Sequence, residues 1–372
     1  MIYLDNAATT YPKPECVCAA VNDGMRQYSF NAGRGTYRAA KKTFDMIEAT
    51  REKVAALVNE EGDKVVFTSS ATESLNNILY GLNLNDGDCV FVSPFEHNAV
   101  LRTLHNIGVS IEVMPFDKQT WDIKENELHD LYILKKPKAT VISHISNVTG
   151  YELPYGKIFS FAKAHNSVTI LDCAQSLGIF AINKTNVDLI VFAGHKSLYS
   201  VFGVAGYINL SAVSLSVYKV GGTGSDSLNL SMPDTLPFRY EAGSLNSVAI
   251  YALNKSIDYL KTENFADKKR SLTKYLIEHL SAIQGVHIYL PKNYISCGIV
   301  SFSVDGFSSD EVGNILSEDY SICVRTGYHC APFIHDFIDS TKYNGTIRVG
   351  LGIFNTIQEI DLLIKALKEI LQ

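Results

Sequence analysis

Between residues 65 and 210 the chain alternates short, nearly all-apolar runs with stretches of helical spacing, and this alternation constrains the fold more than any other feature. The runs are Val65-Val66-Phe67, Cys89-Val90-Phe91-Val92, Thr140-Val141-Ile142, Val168-Thr169-Ile170-Leu171 and Leu189-Ile190-Val191-Phe192. Runs this short and apolar suit strands buried on both faces. Between them Glu73 to Leu82, Asn98 to Ile107 and Tyr155 to His165 have the length and periodicity of helices. The pattern predicts an α/β fold with a mainly parallel central sheet covered by helices.

In open α/β sheets ligands bind at the carboxyl ends of the strands. Here those ends carry Thr68-Ser69-Ser70-Ala71-Thr72, Glu96-His97-Asn98, Ser146-Asn147, Asp172 with Gln175, and His195-Lys196. Any one of these reads equally well as the polar start of a loop. Together they would bring hydroxyls, two histidines, an amide, a carboxylate and a lysine to one edge.

A chain of 372 residues exceeds the usual size of one hydrophobic core. The expected division is a large unit over residues 15–255 and a smaller α+β unit built from residues 1–14 and 256–372. In the smaller unit Asn264 to Ile283 reads as a long helix, Gly298 to Ser303 as a strand with one wet face, and Gln358 to Leu371 as a last helix.

Hydrophobic residues at 46%, charged residues at 19% and a net charge of -6 are ordinary for a globular protein. The basic clusters Lys41-Lys42 and Lys268-Lys269-Arg270 read as solvated helix faces, so no nucleic-acid partner is expected. The N-terminal stretch, a short strand running into a turn, has no basic segment followed by an apolar core. No apolar stretch reaches the roughly 20 residues that span a bilayer. The expectation is a soluble, cytoplasmic protein without a membrane partner. Seven cysteines at scattered positions, with no CxxC pair, suggest neither a disulfide framework nor a metal site, and most of them read as small buried hydrophobes.

Lys196 follows a run too apolar to be exposed. A lysine in such a cleft loses hydration, which lowers its pKa and makes it a competent Schiff-base nucleophile, although a surface lysine on a loop remains an open reading. Asp172 ends the preceding run and can pair with the protonated nitrogen of a pyridine ring or cap a turn. Ser70-Ala71-Thr72, at a helix start, offers N–H groups and hydroxyls to a phosphate or serves as an ordinary cap. His97 either lies flat on a ring or hydrogen-bonds in the core.

From YLDNAATTYPKP through TSSATESLNN, FEHNAV, SNVTG, DCAQSLG and AGHKS to EAGSLN, RTGYHCAP and TIRVGLGIFNT, the chain resembles the class V, fold-type I enzymes of pyridoxal 5'-phosphate (PLP). The resemblance implies that Lys196 carries the cofactor, Asp172 pairs with the pyridine nitrogen and His97 stacks on the ring. It also implies that Gln175 contacts the ring hydroxyl, Asn147 lies near ring and substrate, and Ser70, Ala71, Thr72 and His195 hold the phosphate. In dimers of such enzymes the EAGSLN segment, through Ser244, reaches the phosphate in the partner subunit.

Within that family RTGYHCAP resembles the short active-cysteine loop of the cysteine desulfurases and selenocysteine lyases. Cys330 is then the nucleophile, with Arg325 nearby to favour its thiolate, and Arg348 grips the substrate carboxylate or forms a structural ion pair. The resemblance implies conversion of L-cysteine to L-alanine with a persulfide on Cys330, a homodimer and a sulfur-acceptor protein. Selenocysteine lyase, an aminotransferase without sulfur transfer and a PLP-binding protein with little turnover are the alternatives. Two departures stand out: Leu198-Tyr199-Ser200-Val201-Phe202 where relatives have a Gly-Pro pair after the lysine, and Ala71 where they often have a second hydroxyl.

Overall fold

The computed structural model describes residues 1–33, 35–224, 228–291, 294 and 296–372. In chain order the elements are β1 (Ile2–Tyr3), α1 (Glu15–Gln27), α2 (Arg38–Ala56), β2 (Val65–Thr68), α3 (Ala71–Gly81), β3 (Cys89–Val92), α4 (Asn98–Ile107), β4 (Ser110–Val113), α5 (Glu125–Lys135), β5 (Ala139–Ser143), α6 (Tyr155–Ala164), β6 (Val168–Asp172), β7 (Leu189–Ala193) and β8 (Ala205–Asn209). They continue with α7 (Ser247–Leu260), α8 (Phe265–Ser281), β9 (Val286–Ile288), β10 (Ile299–Val304), α9 (Ser309–Tyr320), β11 (Ile322–Cys323), α10 (Pro332–Phe337), β12 (Ile347–Gly350) and α11 (Ile357–Ile370).

The central sheet has seven strands in the order β2-β8-β7-β6-β5-β3-β4. All pairs from β7 to β4 are parallel, while β8 is antiparallel to both neighbours, β2 and β7. The fold is therefore α/β with a mainly parallel sheet. All five apolar runs are strands, because residues apolar on both faces can be satisfied only between two layers of helices.

Two strands escape that criterion. The edge strand β4 is half exposed and includes Glu112, so it lacks an apolar run. In β8, Gly206 is required by close approach: a Cβ there would lie 2.3 Å from the Val66 carbonyl and 2.6 Å from the Phe192 ring.

The C-terminal part holds a three-stranded sheet, β12-β10-β9. β1 pairs in parallel with β11, Ile2 opposite Ile322 and Tyr3 opposite Cys323. The wet face expected for β10 is absent, since all six residues are buried. Its serines are accommodated by hydrogen bonds: Ser301 Oγ donates to the Val148 carbonyl, and Ser303 pairs with the Tyr289 hydroxyl.

Two further expectations are corrected. Lys41, Lys42, Lys268 and Arg270 are exposed, but Lys269 is buried at 7% exposure. Gly298, at φ 90°, leaves it room, for a Cβ there would sit 2.4 Å from Lys269 Cε. Only Cys89, Cys173 and Cys297 of the seven free cysteines are buried, so burial is not the common fate of the set. Among the described residues no helix is long and apolar enough to cross a membrane.

Candidate active site

At the carboxyl ends of β2, β3, β5, β6 and β7 the structure forms one pocket. Ser70, Ala71 and Thr72 line it together with His97, Asn147, Asp172, Gln175, His195 and Lys196. The topology accounts for the convergence: β5, β6 and β7 are parallel neighbours, so the loops that follow them open on one edge.

Lys196 sits two residues beyond a buried glycine at the end of β7, partly accessible from the pocket. Burial lowers its pKa, and the neighbouring cations Arg348 and Arg325 push the same way, against Asp172 and Cys330. Asp172, 8% exposed, ends β6 and accepts from the Ala174 N–H at 2.9 Å. Its pKa is raised by burial, with the Ala174 N–H and the Lys196 charge acting against that shift.

His97 precedes α4, where its Nδ1 accepts from the Ala99 N–H at 3.0 Å. That bond leaves the proton on Nε2. Burial and the Lys196 charge lower the pKa of the ring to about 4, so the imidazole is neutral. A neutral ring can lie against an aromatic cofactor while its other edge caps the helix.

Ser70 caps α3 by accepting from the Glu73 N–H at 3.1 Å, and its own hydroxyl proton stays free to donate. Ala71 and Thr72 begin the helix, where N–H groups have no intrahelical acceptor. His195 stacks on Phe202 with ring centroids 4.4 Å apart, and its Nδ1 is buried with no partner in the protein. An orphaned ring nitrogen and a helix start beside a desolvated lysine fit a phosphorylated aldehyde such as PLP. Gln175 donates to the Ala7 carbonyl at 2.8 Å. Ser244 is exposed and lines a separate cleft with Arg51 and Glu241, so within one chain it is not brought to the pocket.

Arg348, on β12, is 2% exposed. Its Nη2 pairs with Asp5 at 2.7 Å and its Nη1 donates to the Asn147 carbonyl at 2.9 Å, while Nε is buried without a partner. Both readings of this arginine therefore coexist: it is in an ion pair and still has a donor to offer. Asp5 carried no assignment from the sequence, although it lies in the YLDNAATT motif. Cys330 is exposed on the loop before α10. Its carbonyl accepts from the Asn98 N–H at 2.7 Å, and the preceding His329 carbonyl accepts from Asn147 Nδ2 at 2.8 Å. The Cys330 loop is thus bonded to Asn147, which lines the pocket, and to Asn98, which follows the pocket residue His97; a Cys330 thiolate favours the charged forms of Lys196 and Arg348.

The N-terminal segment straps this arrangement from outside. The carbonyl of His195 accepts from the Thr10 N–H at 3.1 Å, Thr9 Oγ1 at 3.1 Å and Lys13 Nζ at 3.0 Å. In the departure segment after Lys196 the Tyr199 hydroxyl accepts from the Ile353 N–H at 2.7 Å, which holds that loop against the chain leading to α11.

Known proteins share this architecture throughout. A probable cysteine desulfurase of Methanothermobacter thermautotrophicus is 29% identical over 99% of this chain and 94% of that protein. A cysteine desulfurase of Escherichia coli is 27% identical over 100% of this chain and 93% of its own length. The solved cysteine desulfurase from Thermococcus onnurineus NA1 superposes with a TM-score of 0.88 at 26% identity, covering 99% of this chain and 94% of that one. The family model of aminotransferase class-V matches residues 2–363, a span that takes in the Lys196 pocket, the Cys330 loop and the N-terminal strap alike, and the chain belongs to that family.

Proposed function

We propose that this chain is a PLP-dependent cysteine desulfurase that converts L-cysteine to L-alanine and retains the sulfur on Cys330. The observation that carries the reading is that the Cys330 loop is hydrogen-bonded to Asn98, which follows the pocket residue His97, and to Asn147, which lines the pocket with Lys196. The full-length similarity to proteins named cysteine desulfurase supports it.

PLP, when bound, supplies an electron sink for the pair released at the substrate Cα. Lys196 would hold it, Asp172 would face its ring nitrogen, His97 its face, Gln175 its hydroxyl, and Ser70, Ala71, Thr72 and His195 its phosphate. Arg348 binds the substrate carboxylate, which gives its buried Nε–H an acceptor. Lys196, its pKa lowered by burial, has more free amine near neutral pH and takes the Cα proton. The Cys330 thiolate attacks the substrate sulfur. A sulfur–sulfur bond forms, the Cβ–S bond breaks, and the pair left toward Cβ takes a proton to give alanine. Because the loop is bonded at two successive carbonyls, an acceptor protein or reductant comes to Cys330 to remove the sulfur.

The active form is a homodimer in which Ser244 completes the partner's phosphate site. Supporting this, Ser244 is exposed away from its own pocket, and the side chains of Leu228 and Leu230, on the segment that leads to it, are fully exposed. The test of the function is direct: purified protein with L-cysteine and reductant yields alanine and sulfide in equal amounts. A keto acid without alanine overturns the reading in favour of transamination.

A further inference from the structure

Glu96 immediately precedes His97, is fully buried, and takes no part in the chemistry above. Its Oε1 accepts from the Ser143 N–H at 2.9 Å and from Ser93 Oγ at 2.5 Å, and its Oε2 accepts from Ser143 Oγ at 2.8 Å. Ser93 in turn accepts from the Phe95 N–H at 3.1 Å. Ser143 is the last residue of β5 and the register partner of Asp172 on β6. Since β5 lies between β3 and β6 in the sheet, Glu96 bridges from the loop after β3 to the strand that abuts Asp172.

We propose that Glu96 is a positioning residue: it ties the loop bearing His97 to the strand end beside Asp172, and so sets the spacing between the groups that contact the cofactor's face and its ring nitrogen. The proposal rests on the cofactor reading above. Strand pairing alone fixes Asp172 against Ser143 but leaves the loop after β3 free to shift. The two bonds that Glu96 accepts from Ser143 remove that freedom, and the bond from Ser93, on its own loop, holds the carboxyl in place to accept them. A carboxyl is suited to the task because both oxygens accept, one of them from two donors.

The bridge carries a pH signature. Burial raises the Glu96 carboxyl from 4.5 to about 7, against its serine donors and with a further push from the Asp172 charge. The titratable groups around it are Asp172 from β6 and His97 on its own loop, and Lys196, from the end of β7, faces Asp172. A carboxyl with a raised folded pKa favours the folded state at low pH, and that contribution is lost as pH climbs from 4.5 through about 7.

Glu96→Gln removes the charge while keeping the contacts: the amide oxygen accepts from Ser143 N–H and Ser93, and the amide nitrogen donates to Ser143 Oγ. Glu96→Ala removes both. With PLP present, the melting temperature of E96Q is expected to match wild type near pH 4 and to exceed it above pH 8, with cofactor release on dialysis within about twofold of wild type. E96A is expected to release PLP and to lose kcat by about 10-fold or more each, with KM for cysteine changed less than about 3-fold, as misplacement of reacting groups acts on kcat. A wild-type release rate and kcat in E96A overturn the positioning role whatever its melting temperature. An E96Q melting curve that tracks wild type at every pH overturns the titrating bridge. Wild type that holds no PLP on Lys196 overturns the cofactor reading and this proposal with it.

Discussion

The backbone N–H of Asn98 donates to the carbonyl of Cys330 across 2.7 Å, joining the start of α4 to the loop that carries the thiol. Asn98 follows His97, so the residue assigned to the cofactor face and the proposed nucleophile are anchored through adjacent peptides. His329 and Cys330 both adopt left-handed backbone, with φ of 48° and 58°. That conformation costs a side-chain-bearing residue about 1–3 kcal/mol and persists only where the surroundings enforce it. The two carbonyl bonds, to Asn98 and Asn147, are that enforcement, and they fix the thiol before any substrate arrives.

Cys330→Ala separates cofactor chemistry from sulfur transfer. The thiol is exposed, so the variant should fold and hold PLP as wild type does. Sulfide release from L-cysteine should fall by about 10²-fold or more, the least that removing an obligatory nucleophile costs. Mass spectrometry of wild type treated with cysteine and no reductant should find the added sulfur on Cys330 and not on Cys323. Undiminished release by the variant points to simple β-elimination.

Lys196→Ala should abolish the yellow colour of the purified protein. Borohydride treatment of wild type followed by peptide mapping should place the cofactor on Lys196. Recovery on Lys13 or Lys269, two lysines whose pKa burial lowers to about 8, would falsify the assignment.

The Asp5–Arg348 ion pair predicts different outcomes for its two members. Asp5→Ala leaves a guanidinium buried without its counter-ion, which should destabilise the fold by about 3 kcal/mol in chemical denaturation at pH 7. Arg348→Lys loses the planar fork that holds a carboxylate, so KM for cysteine should rise about 10-fold or more while PLP is retained. Equal KM values in wild type and R348K would move the carboxylate site elsewhere.

Lys269 lies outside the site, and its burial penalises the charged form. Its pKa falls from 10.5 to about 8. Below pH 8 both folded and unfolded chains carry the charge, so the full penalty is present. It is relieved as pH rises from 8 toward 10.5, where the unfolded chain alone holds the proton. Lys269→Met should therefore be more stable than wild type at pH 7, by up to about 3 kcal/mol at 1.36 kcal/mol per pKa unit. The gain should fade by pH 10.5, and a gain independent of pH would assign the effect to packing.

A homodimer is expected in solution. Sedimentation should give twice the chain mass, and Ser244→Ala should weaken PLP retention without changing the Lys196 attachment. A monomeric mass with full cofactor occupancy contradicts the shared phosphate site.

Much of the pocket was legible in the sequence because a strand buried on both faces announces itself as an apolar run, and in a parallel sheet the residue after each run lies on a common edge. Thr72, His97, Asn147, Asp172 and Lys196 follow from that rule, with the resemblance supplying their roles. The sequence equally determined the α/β class and the long helices, whose periodicity is local. It did not reveal that Arg348 pairs with Asp5, since the two residues lie at opposite ends of the chain and meet only where the N-terminal strand docks beside β12. Nor did it show that Lys269, in the middle of a basic triplet, turns inward while its neighbours face water, a choice made by the space beside Gly298. Glu96 stood in plain view among the strand ends, yet its bond to Ser143 depends on β5 lying between β3 and β6. Local sequence sets which residues stop a strand, whereas the order of strands sets which of those residues touch. That order is decided by long-range packing, which leaves no periodic mark on the chain.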